Sequence, residues 1–200
     1  MKKISFYIGR KNTVTFFLAS AVLLFGIYSF FGEVVYFFSG SEAIDLKDAM
    51  EIDKANFEKV DDGDFVQVKG ITSVQGGAIQ RGITGTEYIL YYLTGSSKFI
   101  INEKNDGESK GPQYKTVRGR AYKFKTNSNA ARMRNFFARS FMIEMDEDGI
   151  LIEAGLEPGS DYAALIFFIM LIAAMGLNIY LFIRPLKQKE DPMENDIDEI

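Results

Sequence analysis

The residues with the most pronounced chemistry lie in VRGRAYKFKTNSNAARMRNFFAR, residues 117–139, which carries seven Lys/Arg and no Asp or Glu. The chain as a whole leans the other way, with 27 acidic residues against 23 basic and a pI of about 5.1. Arg118, Arg120, Lys123, Lys125, Arg132 and Arg139 are the candidate docking residues. Three kinds of partner suit such a stretch: a nucleic-acid strand, anionic lipid headgroups and an acidic protein surface. The interleaved Tyr122, Phe124, Phe136 and Phe137 would serve base stacking on a single strand. The side of a membrane on which the stretch lies decides among them.

Catalytic and metal-binding chemistry is thin. The chain has no Cys and no His, which removes most zinc and iron–sulfur sites, the usual haem ligands and the Ser-His and Cys-His nucleophile pairs. Asp146-Glu147-Asp148-Gly149 and the trio Asp61, Asp62 and Asp64 fail the D-x-[DN]-x-[DN]-G spacing of a calcium loop. They read as solvated acidic turns. Residues 63–85 are glycine-rich but contain neither phosphate-binding pattern, and Gly76-Gly77 reads as a hairpin turn. No catalytic, metal or cofactor residue is assigned. An enzyme working with carboxylates alone is kept as a second alternative, since any chain with this many Asp and Glu can pair two of them.

The elements that must position the basic stretch begin with two apolar segments. Residues 13–38 contain a single charge, Glu33, and residues 163–183 contain none. A hydrocarbon core of about 30 Å needs about 20 helical residues, so both read as transmembrane helices. Lys2, Lys3, Arg10 and Lys11 precede the first span, and Arg184, Lys187 and Lys189 follow the second. Acidic residues, Glu33, Glu42, Glu153, Glu157 and Asp161, dominate the other side. Positive flanks stay cytoplasmic, which sets a topology: a cytoplasmic tail at 1–12, a span at 13–38, an exported domain at 39–160, a span at 161–184 and an acidic cytoplasmic tail at 185–200. The compartment expected is the inner membrane, with the central domain periplasmic. Nucleic acid drops out as a partner, and a membrane protein or lipid headgroups remain. Asn178, with Gly176 and Ala173 beside it and Gly26 in the first span, supplies candidate helix-packing positions, a polar amide plus small residues that permit close approach.

The exported domain reads as β-rich. FVQVK, TEYILYYLT, SKFII, YKTVRGRAYKFK and ILIEA are rich in β-branched and aromatic residues or alternate as strands do. Residues 41–60 read as one or two short helices, and residues 141–154 as a hairpin turning at Asp148-Gly149. One helix is inserted over residues 129–141, capped by Asn127, Ser128 or Asn129. Met133, Phe137 and Phe141 form its apolar stripe, with Arg132 and Arg139 on another face. Five or six strands with one helix predict an α+β, OB-like barrel flanked by two transmembrane helices.

This order of elements, with GDFVQVKG and VRGRAYKF inside the exported part, resembles the Surfeit-locus cytochrome-oxidase assembly family. It is also similar to the membrane-anchored haem chaperone of cytochrome c maturation. The chaperone's cofactor attaches through a His, which this chain lacks, so no functional residues carry over. The functional expectation rests on the absent catalytic residues, the packable spans and the one-sided basic stretch. The expectation is thus a non-catalytic accessory or assembly subunit of an inner-membrane complex, without cofactor. The alternative is a tethered binding module for an anionic envelope ligand or lipid headgroups.

Overall fold

A computed structural model of the chain describes residues 2–73, 78–81, 86–105 and 111–187. The Gly76-Gly77 turn, the Asp106-Gly107 part of the central loop and the acidic tail from residue 188 onward lie outside the described residues. Two units divide the chain, one holding the terminal helices and the other running Tyr36–Asp161.

In the helical unit, α1 covers Lys2–Phe37 and α4 covers Tyr162–Lys187. Helix α1 begins well before the apolar run, so the segment read as an N-terminal tail is itself helical from Lys2. The apolar stretches Thr13–Phe37 and Tyr162–Ile183 have 25 and 22 residues, each enough to cross a hydrocarbon core. Between the two helices, Phe16 stacks on Phe182 with ring centroids 4.1 Å apart, and Phe30 meets Phe167 at 4.9 Å.

The second unit is a closed five-stranded barrel. Its strands are β2 (Phe65–Thr72), β4 (Glu87–Thr94), β5 (Phe99–Lys104), β6 (Tyr114–Lys123) and β7 (Ile150–Ala154), joined in the order β2-β6-β7-β5-β4. The ring closes where Ile71 and Thr72 of β2 pair with Thr94 and Leu93 of β4. Strand β1 (Ile44–Asp48) runs parallel to β2 along the rest of that edge, and β3 (Ala78–Arg81) pairs with the start of β4. One inserted helix and a five-stranded closed barrel make the domain OB-like.

Alternation along the strands fills two separate cores. Val66, Val68, Leu93, Phe99, Ile101, Val117, Ala121 and Ile152 point inward. Leu90, Ile100 and Leu151 point outward, where helix α3 (Ser128–Phe141) covers them with Ala130, Met133, Phe137 and Phe141. At one end of the barrel, α2 (Lys54–Lys59) seats Phe57 edge-on against Phe99, centroids 5.8 Å apart. Strands β6 and β7 approach so closely that a Cβ at Gly119 would stand 2.1 Å from the Glu153 carbonyl oxygen. Only glycine fits there.

Two local expectations differ from the structure. Residues 44–48 form strand β1 rather than helix, and helix is confined to α2. Parallel pairing with β2 outweighs the weak helical preference of a five-residue segment. The hairpin expected over 141–154 does not form, because β7 pairs with β5 and β6 instead. Met142 takes the left-handed conformation at φ 56° and caps α3, while Ile143 and Met145 turn into the outer core. The apolar residues taken for a strand are the underside of the helix's exit.

Candidate functional site

The basic stretch spans β6, a turn and α3, and the structure treats its members differently. Arg118 places Nη1 3.6 Å from Glu157 Oε1 and lies 5.1 Å over the Phe65 ring. Arg120 is buried, its guanidinium 4.3 Å from the Tyr36 ring and 5.4 Å from that of Tyr122. Such stacking suits a planar, weakly hydrated cation. Tyr36 in turn donates its hydroxyl to the Leu156 carbonyl at 2.6 Å. Lys123 Nζ lies 2.9 Å from Asp61 and Lys125 Nζ 2.5 Å from Asp148. The hydrogen bond and charge of Lys125 hold the Asp148 carboxyl below its ordinary range, and Asp148 holds the Lys125 ammonium above its own. Arg134 reaches Glu147 at 3.7 Å.

Arg132 and Arg139 stand apart from these five. Both are exposed and neither forms a salt bridge to a described carboxylate; Arg132 Nη2 donates to Asn129 Oδ1 at 2.6 Å. The local fold explains their display. Asn127 caps α3 by accepting from the Asn129 and Ala130 amides at 2.9 and 3.1 Å. The stripe Met133, Phe137 and Phe141 then faces the barrel. Arg132, Phe136 and Arg139 follow at i, i+4 and i+7 and share the outer face. Phe136 is 37% exposed, and Met142 just beyond the helix is 92% exposed. The helix thus presents two guanidinium groups without a described carboxylate partner, with apolar side chains alongside them.

Of the span positions, Asn178 and Gly26 lie at the helix contact. Asn178 Nδ2 donates to Ser20 Oγ at 2.9 Å and lies 3.4 Å from the Phe16 carbonyl. A Cβ at Gly26 would stand 3.3 Å from Leu171 Cδ1. Ala173 and Gly176 are exposed, and a Cβ at 176 would meet nothing within 4 Å.

Two polar arrangements had no clear signature in the sequence. Inside one mouth of the barrel, Tyr91 donates its hydroxyl to Glu103 at 2.8 Å, and Lys115 contacts the same carboxylate while lying 5.0 Å over the Tyr91 ring. Burial, with help from the Glu103 charge and hydrogen bond, pushes the Tyr91 phenol well above its ordinary range. Strict alternation places Tyr91 and Glu103 on the inward face; only the register between β4 and β5 could have paired them. At the other end, a groove of about 850 Å³ opens between α2 and the barrel, its apolar lining made by Met50, Ile52 and Phe57. Its residues come from four separate segments, so no spacing announces it. Among the described residues, no group of three or more Asp or Glu is placed to hold a metal ion. Comparison with protein-family models, curated proteins and solved structures gives no match for this chain.

Proposed function

We propose that the chain is a non-catalytic accessory or assembly subunit of an inner-membrane complex, docking through the outer face of α3. The observation that carries the reading is the Arg132-Phe136-Arg139 stripe, cationic, partly apolar and without carboxylate partners among the described residues. Exposed cations around an aromatic anchor are the composition expected of a docking patch, with the charges orienting the encounter. In this reading both termini are cytoplasmic and the barrel is exported, following the positive flanks. The hydrogen bond between Asn178 and Ser20 keeps the two spans together as an anchor.

An acidic protein surface is preferred over lipid headgroups because the stripe sets the partly exposed Phe136 between two arginines, the aromatic-plus-arginine composition of protein docking patches.

Changing Arg132 and Arg139 together to Glu should remove co-purifying proteins from a mild-detergent preparation while the melting temperature stays within a few degrees of the parent. Affinity for vesicles rich in anionic lipid should be the same for parent and variant. Retention of every partner by the variant refutes α3 docking, and loss of vesicle binding would transfer the stripe to lipid.

A further inference from the structure

The groove at the α2 end is polarised across its width. On the barrel side stand three lysines, Lys98, Lys123 and Lys125, against two carboxylates, Glu147 and Asp148. On the α2 side stands Lys54 against Glu51 and Glu58. One wall therefore has an excess cation and the other an excess carboxylate. Several charges are already engaged: Lys123 with Asp61, Lys125 with Asp148 and Arg134 with Glu147. Lys98 on one side, and Glu51, Glu58 and Lys54 on the other, form no salt bridge to a described residue, which leaves the α2 side with one net negative charge. The Lys98 ammonium sits 4.9 Å over the Phe57 ring, so the open cation adjoins the apolar lining.

We propose that this groove binds a small zwitterion, an oxyanion and a primary ammonium carried on an apolar body, the chemistry of a short apolar peptide with free ends. Lys98 takes the oxyanion, Glu51 and Glu58 take the ammonium, and Met50, Ile52 and Phe57 receive the apolar side chains. A volume of about 850 Å³ falls in the usual 300–1,000 Å³ range of small-ligand sites. A polyanion meets the carboxylates of the α2 wall, and a polycation meets the lysines of the barrel wall. A dipolar molecule satisfies both walls at once. The site is independent of the α3 stripe, and either reading can fail without the other.

The test is calorimetric titration of the full chain in a neutral detergent with the dipeptide leucyl-phenylalanine, its N-acetyl form, its C-terminal amide and the doubly capped form. The free dipeptide should bind saturably, and each single cap should weaken binding about tenfold, the worth of one hydrogen bond between charged groups. Glu58→Gln should weaken the free dipeptide and make N-acetylation matter less. Lys98→Gln should do the same for amidation. Neither side chain forms a salt bridge to a described residue, and an unchanged melting temperature confirms that the variants fold. Equal binding of free and doubly capped dipeptide, absence of saturable heat with the free one, or indifference to both substitutions overturns the proposal.

Discussion

Tyr91 shows how far one side chain's surroundings can move its chemistry. Burial and Glu103 hold its phenol in the protonated form, whereas in the unfolded chain it ionises near pH 10. A group whose pKa is higher in the folded state contributes stability fully below the unfolded value and loses it as pH rises above that value. The domain should therefore keep its Tyr91-dependent stability up to about pH 10 and lose it steeply beyond. Tyr91→Phe should flatten that alkaline decline in pH-dependent melting experiments, although it lowers stability at neutral pH by removing a buried hydrogen bond. An unchanged alkaline slope would mean that Tyr91 is not the responsible phenol. Asp48 behaves in the opposite sense. Its carboxyl is held low by the Met50 amide and the Tyr114 hydroxyl, so its contribution is present above the ordinary carboxyl range and lost as pH falls through the lowered value.

Among the elements, two glycines separate a structural demand from an open face. Gly119→Ala drives a methyl into the Glu153 carbonyl and should cost about 3 kcal/mol or more by forcing β6 from β7. Gly176→Ala meets nothing within 4 Å and should leave denaturant unfolding of the detergent-solubilised chain unchanged or slightly improved, since alanine favours helix. Equal effects at the two positions would contradict the register of β6 and β7. Much of this level was legible in the sequence. The strands around Val66, Leu93, Ile101 and Ala121 and the helix carrying Phe137 follow from alternation and helical spacing. Strand β1 and the loop at 142–146 did not, because apolar residues such as Leu46, Ile143 and Met145 are buried equally well by any backbone that reaches a core. The candidate site was legible only as a composition. Nothing in the spacing distinguishes Arg120, stacked between two tyrosines, or Lys125, engaged by Asp148, from Arg132 and Arg139. Those differences depend on contacts between segments remote in sequence.

On the scale of the whole chain, the anchor and its orientation can be tested separately. Asn178→Leu removes the amide donated to Ser20 and should weaken the helix pair by about 0.6 kcal/mol, at most about 1.7, read as a lower midpoint in unfolding by a denaturing detergent. A midpoint unmoved by the substitution would show that the amide contributes nothing there. For the proposed orientation, a reporter active only outside the cytoplasm should be silent after Ile200 and active when inserted after Asn105. The reverse pattern would invert the topology and return single-stranded nucleic acid to consideration for the basic stretch. The hydrogen bond from Tyr36 to Leu156 has a consequence for assembly. Two helices joined by the long loop Tyr36–Asp161 would ordinarily bear the closure entropy of that loop when they meet, a cost that grows with the logarithm of its length. Once the barrel has folded, its two ends are already side by side, and the helices are joined as if by a tight turn. The barrel thereby acts as an entropic clasp for the helical hairpin, whatever else it binds.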